Sequence, residues 1–218
     1  MIVLIFSFRL KESLSVENRL QGSIFSTFLT FGVIIKNRLF MSYVGIQSFL
    51  LGSMFAYIAA SPFIFQSFYG LSAFVFSLCF GANGAALVIG ANVGGKLPNR
   101  QALAIGVLAF VVAALYTIAV LIIQPYWLFI EIGFFAMLLL MGITFPAISS
   151  LAMESERQYA GSASALLGFA PFFLGGVVSP LVGIGNIFYS TALVILACNV
   201  LALAIYWMVR HKIPNSAE

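Results

Sequence analysis

Charge is what this sequence has least of. Of its 218 residues 10 are Lys or Arg and 6 are Glu, and there is no Asp. Soluble domains carry charge at roughly a quarter of their positions, and so few charged side chains cannot build a water-facing shell around a 23.6 kDa chain. Lipid is therefore the solvent. Other scarcities exclude further classes. The two cysteines, Cys79 and Cys198, lie inside long apolar runs, so neither a disulfide framework nor a Cys/His metal site has support. Both read as small apolar fillers. The single histidine, His211, falls in a basic tail. With no pair of acids in any apolar run, acid–base pairs, nucleophilic triads and zinc sites all fail on inventory, which excludes an enzyme. A net charge of +4 does not indicate nucleic acid, because the cations are few and sit in connecting segments and tails.

Hydrophobic residues, 62% of the chain, are what is there. A helix needs about 20 of them to cross a bilayer, and six such runs occur, at 39–61, 74–93, 101–123, 126–150, 160–184 and 187–209. Alternating ten-residue segments are absent, which argues against a β-barrel. The expected fold class is an all-α membrane protein with six transmembrane helices. Residues 1–8 are apolar but too short to cross and run straight into Arg9, Lys11 and Glu12, so they read as the end of a preceding transmembrane helix. A signal peptide would need a basic region before that stretch and a cleavage site after it. Residues 9–38 read as a cytoplasmic loop, with an interfacial helix at 24–35. A six-helix bundle at 39–209 and a cytoplasmic tail at 210–218 follow.

Every Lys and Arg falls on one side of that arrangement. Arg9, Lys11, Arg19, Lys36 and Arg38 lie in the first segment, Lys96 and Arg100 after the second span, Arg157 after the fourth, and Arg210 and Lys212 in the tail. The opposite loops, 62–73, 124–125 and 185–186, carry none. The positive-inside rule then places both termini in the cytoplasm.

Charged groups inside a membrane are costly and functional by default, and the spans hold one, Glu131. It stands five positions after Tyr126, about 7 to 8 Å below the outer end of the fourth span. There it either opens to a water-filled cavity or snorkels to the outer headgroups. No Lys or Arg lies at comparable depth to pair with it. Gln47, Met54 and Ser61 recur at a spacing of seven, with Tyr57 beside them, and so share one face of the first span. Such a face takes flat, lipophilic, often cationic compounds, or packs on a neighbouring helix with Gln47 bonding across. Asn83 and Asn199 read as interhelical glue. Gly168, Pro171, Gly175, Gly176 and Pro180 allow close helix approach and a bend in the fifth span, either beside a moving interface or for packing alone. Gly81, Gly84, Gly90 and Gly94 in the second span read the same way. They make no nucleotide fingerprint, because no βαβ context exists.

Three motifs go further. Gly95-x-Leu97-x-Asn99-Arg100, in a tight cytoplasmic turn, resembles the G-x-L-x-D-R opening of the signature loop of the major facilitator superfamily, in its second copy. Asn99 stands where the strong version has an acid, and Ala102 where it has glycine. The segment Ala160-Gly161-Ser162-Ala163-Ser164-Ala165-Leu166-Leu167-Gly168 resembles the A-G-x-A-S-A-L-x-G segment of bacterial drug-resistance transporters of the Bcr/CflA type, in the drug:proton antiporter branch. Arg38-Leu39-Phe40 and Tyr57-Ile58-Ala59-Ala60-Ser61-Pro62-Phe63 resemble that family's seventh helix, and Gly142-Ile143-Thr144-Phe145-Pro146 its tenth.

The resemblance covers nearly the whole chain but only the carboxy-terminal half of such a transporter. It implies a twelve-helix fold in two halves, with the first and fourth spans here lining the central cavity. Glu131 would take up a proton or attract a cationic drug, and Gln47, Met54, Tyr57 and Ser61 would lie on the substrate path. Gly95, Arg100, Gly161, Gly168, Pro171, Gly175, Gly176 and Pro180 would serve packing and conformational change. No cofactor is implied beyond a proton as coupling ion. The implied partners are the lipid bilayer, small-molecule drugs and a separate amino-terminal six-helix half, in a bacterial inner membrane. The alternative is a non-transporting truncated remnant, or an assembly partner that needs that other half.

Overall fold

In lipid each backbone N–H and C=O must be paired within its own segment, so long apolar runs fold as helices. The computed structural model, which describes residues 30–212, has six of them. They are α1 Arg38–Ser61, α2 Ala73–Gly94, α3 Asn99–Ile123, α4 Trp127–Ser155, α5 Ala160–Leu181 and α6 Ile187–Val209, and all six are long and apolar enough to cross a membrane. Among the described residues there is no strand. Residues 1–8, most of 9–38 and the end of the tail lie outside the described residues, so the expectations for them carry no structural outcome. Of the interfacial stretch, 30–34 are helical, with Ile34 fully buried.

Polar residues mark the starts. Asn37 caps α1 by accepting from the Leu39 and Phe40 amides, Ser72 caps α2 through Val75, and Asn186 caps α6 through Phe188 and Tyr189. Gln124 turns the chain between α3 and α4 at φ 53°, and Gly70 (φ 70°) and Gly185 (φ 78°) serve the turns between α1 and α2 and between α5 and α6 at the same end of the bundle. Several boundaries shift by one or two residues from the sequence reading, the fifth span ends at Leu181 rather than 184, and two others differ more. The first loop does not begin at Pro62, because Pro62–Phe68 continues α1 as a π-helix. Pro62 cannot donate to the ladder and its ring crowds the carbonyl four residues back, and the wider π turn carries the chain past both problems. The fourth span runs on to Ser155, beyond the expected 150, because no Gly or Pro stands between Ser150 and the Glu156 C-cap.

The helices pair in a pattern that repeats itself. α1 packs on α5 and α6, α4 packs on α2 and α3, and α1 meets α4 as α3 meets α6. Exchanging α1, α2, α3 for α4, α5, α6 leaves this list unchanged, and because successive spans alternate in direction the repeat is inverted. α1 and α4 are the most covered helices, while α2 and α5 are the least. Glycine sets the closest approach. A Cβ on Gly90 would collide with the Leu139 carbonyl, one on Gly94 with Ile143, and one on Gly142 with the Leu87 carbonyl, so α2 and α4 meet backbone to backbone. In the related α1–α5 pair, Gly175 gives room to the Phe55 ring.

Candidate functional site

Glu131 lies one turn inside α4 and is buried at 7% exposure, turned inward where α1, α2 and α4 meet. Gly133, two residues on, brings α4 hard against Thr117 of α3 and so fixes its depth there. Facing the carboxyl are Asn83 of α2, fully buried, and Tyr57 of α1, also fully buried. The Asn83 Nδ2 donates to the Tyr57 hydroxyl at 2.9 Å. The amide also stands within reach of Glu131 without completing a bond to it. Both Glu131 oxygens and Asn83 Oδ1 are buried without a hydrogen-bond partner.

Aromatic rings surround these three groups. Tyr57 lies 4.7 Å from Phe134 and 5.9 Å from Phe80, ring centre to ring centre. Phe65 is 6.3 Å from both Phe134 and Phe76, and Phe76 is 6.0 Å from Phe80. A carboxylate without a counter-ion, beside a tyrosine packed among aromatic rings, suits two kinds of visitor. One is a proton, which neutralises it, and the other is an organic cation, which the acid attracts and the rings accept. Cys79, one turn before Asn83, lies within electrostatic reach of Glu131.

The structure divides the face proposed on α1. Tyr57 joins Glu131, whereas Ser61 is buried with its hydroxyl donated to Ile58 O at 3.3 Å. Gln47 and Met54 are half-buried, and Gln47 lies about 15 Å along the helix from Tyr57. Gln47 Oε1 is a buried acceptor without a donor. At the turn between α2 and α3, Gly95 closes α2 by donating to Ala91 O at 2.9 Å, and the Asn99 amide donates to Ser150 Oγ at 2.9 Å. Arg100, half-buried in the first turn of α3, makes no ion pair among the described residues, while Arg157 pairs with Glu154 at 2.9 Å. In α5, Pro171 and Gly175 face the bundle, and Gly161, Gly168, Gly176 and Pro180 are exposed.

Reasoning from sequence placed Glu131 and Tyr57 separately and overlooked Phe65, Phe76, Phe80 and Phe134. One signal was available. Phe76, Phe80 and Asn83 follow helical spacing and form a stripe on α2.

A sequence model of the Major Facilitator Superfamily matches residues 1–180. The chain belongs to this superfamily. Among curated relatives, the uncharacterized MFS-type transporter YdgK of Bacillus subtilis (strain 168) is 37% identical over 190 residues, 85% of this chain and 47% of that protein. The bicyclomycin resistance protein homolog of Haemophilus influenzae (strain ATCC 51907 / DSM 11121 / KW20 / Rd) is 26% identical over 222 residues, 94% of this chain and 53% of that protein. The chain thus spans about half the length of the curated relatives it matches. Membership of a transporter superfamily agrees with the multi-pass architecture and with the lack of catalytic inventory. The inverted repeat of the helices is the arrangement such a six-helix half requires.

Proposed function

We propose that this chain is the carboxy-terminal half of a transporter that exports lipophilic, cationic compounds while protons move inward. The observation that carries this reading is Glu131, a buried carboxylate with neither oxygen paired, set among aromatic rings at the junction of α1, α2 and α4. Buried ionisable groups in membrane helices mark ion paths, because only function repays the cost of keeping them there. The name of the Haemophilus relative, a bicyclomycin resistance homolog, supports a drug as cargo.

In this reading the chain works in a bacterial inner membrane with its basic loops in the cytoplasm. Its bundle rocks against an amino-terminal bundle about a site near the midplane. The exposed faces of α2 and α5, where a Cβ added at Gly81, Gly84, Gly168 or Gly176 would meet nothing within 4 Å, supply the surfaces on which that partner half slides. Along α1 the substrate route runs past the half-buried Gln47 and Met54 to Tyr57, while Ser61, fully buried and bonded to Ile58 O, is set aside from it.

The test is made in proteoliposomes holding this chain together with an amino-terminal half, with an imposed proton gradient. Adding a fluorescent lipophilic cation is expected to dissipate the gradient as the cation accumulates against it. Cation movement that leaves the proton gradient untouched would overturn the coupling, and no movement at all would overturn transport.

A further inference from the structure

The seam between α3 and α6 joins an apolar groove to a pair of cations. The two helices are antiparallel neighbours, and Val111, Leu115 and Ile118 of α3 with Leu196, Val200 and Leu203 of α6 line a groove that shows no polar surface. Leu115, Leu196 and Val200 are exposed, so the groove opens to the membrane. Asn199 also borders it but turns its amide back into the bundle, where Nδ2 donates to Ile195 O at 2.8 Å. Such a groove takes hydrocarbon and nothing polar.

Helical spacing leads both walls to an arginine at the same end of the bundle. Arg100 stands eleven residues before Val111, about three turns of α3, and Arg210 seven residues after Leu203, about two turns of α6. Each therefore lies on the groove face of its own helix. The walls run in opposite directions over the same length, which sets Val111 level with Leu203 and leaves the two arginines about 6 Å apart in height, a gap their long side chains span. Trp207 shares the face of Arg210, and its ring lies 3.7 Å from that guanidinium, which holds the cation beside the groove. Neither arginine makes an ion pair among the described residues. The described acids at that end are engaged elsewhere, Glu154 by Arg157 and Glu156 by Asn37.

The place of the seam keeps it in lipid. Following each helix to its packing neighbour gives the order α2, α4, α3, α6, α1, α5, with the seam at the middle and the least covered helices, α2 and α5, at the two ends. A partner seated on α2 and α5 leaves the seam open. A guanidinium presents a planar fork that fits phosphate oxygens. The groove begins about 10 Å below Arg210 and ends about 21 Å below it, while one leaflet of hydrocarbon is about 15 Å deep. An acyl chain hanging from a phosphate at the arginines thus passes Trp207 and enters the nearer half of the groove.

We propose that the α3–α6 seam binds an anionic phospholipid from the leaflet at the basic end of the bundle, its phosphate held by Arg100 and Arg210 and one acyl chain laid in the groove. The site is independent of Glu131 and of any transport. The test uses the full chain carrying Trp127→Phe, which leaves Trp207 as its one tryptophan, in phosphatidylcholine bilayers with a minor share of phosphatidylglycerol. Bromine on an acyl chain quenches tryptophan at contact. The quenching by brominated phosphatidylglycerol is divided by that of brominated phosphatidylcholine at the same mole fraction, each corrected with unbrominated lipid in the same variant.

This ratio is expected to exceed one severalfold and to fall toward one in Arg100→Gln and in Arg210→Gln. It is expected to hold in Lys96→Gln, which removes one charge at the same end in the turn between α2 and α3. A ratio of one in the parent chain overturns the site, and so does an equal fall in all three variants, which would mean attraction to a charged surface. Val111→Phe, which fills the groove with both arginines in place, is expected to lower the ratio, and an unchanged ratio overturns the seating of the chain. Inorganic phosphate at constant ionic strength is expected to leave the ratio unchanged. Loss of the preference in phosphate would give the arginines to a soluble anion and overturn the lipid.

Discussion

A carboxylate buried without a partner is far costlier than a buried carboxyl, and the difference must be met by a proton, a cation or water. Under the proposed transport Glu131 uses the first two, which makes Glu131→Gln the most informative single change: it is expected to abolish proton-coupled extrusion while the helices still insert, as judged by membrane fractionation. A second expectation concerns Asn37, which caps α1 and also donates to Glu156 Oε1 at 2.6 Å, tying the start of α1 to the end of α4. Asn37→Ala removes both functions and is expected to lower stability by about 1 to 2 kcal/mol, measured by thermal unfolding in detergent. Asn37→Asp keeps the cap but sets an acid against Glu156, so it is expected to recover only part of that loss. Glu131 was legible in the sequence because it is the one acid inside a span. Tyr57 and Asn83 were each singled out, Asn83 as a residue bonding between helices, but their meeting at Glu131 was not legible. α2 and α4 are apolar on all sides, so no polar stripe reveals how each helix is rotated, and the approach of Asn83 and Phe134 to Tyr57 exists only once three helices pack.

Helix spans were the most legible elements, because the cost of an unpaired backbone group in lipid leaves little freedom in how an apolar run folds. The last span, 187–209, was read to the residue, whereas the π-helical continuation at Pro62–Phe68 was not, since proline usually signals an end. The glycines of α2 were read as close-packing residues without a way to tell them apart. The structure separates them by neighbour. Gly90→Ala drives a methyl group into the Leu139 carbonyl and is expected to cost about 1 to 3 kcal/mol. Gly84→Ala meets nothing within 4 Å and is expected to leave stability unchanged or slightly raised. Parallel unfolding curves of the two variants in one detergent check the contrast, and equal losses would mean that α2 and α4 do not meet at Gly90.

For the whole molecule, the inverted repeat explains why α1 and α4 are the most covered helices and α2 and α5 the least. That repeat was invisible in the sequence, because the two triplets share helix order and packing rather than residues. The loop charges set a further expectation. A cysteine placed at Ser67 should react with a membrane-impermeant maleimide in intact cells, and one at Lys96 only after lysis, with the reverse pattern inverting the topology. The central claim is that a carboxylate in this six-helix half couples proton uptake to export. Its most direct measurement is the accumulation of a fluorescent lipophilic cation in cells lacking their own efflux pumps. The cells produce this chain, alone or behind an amino-terminal half, with Glu131 or with Gln in its place. Lower accumulation that needs both the proton gradient and Glu131 is the expected result, and lower accumulation indifferent to Glu131→Gln, or none in either arrangement, would contradict it.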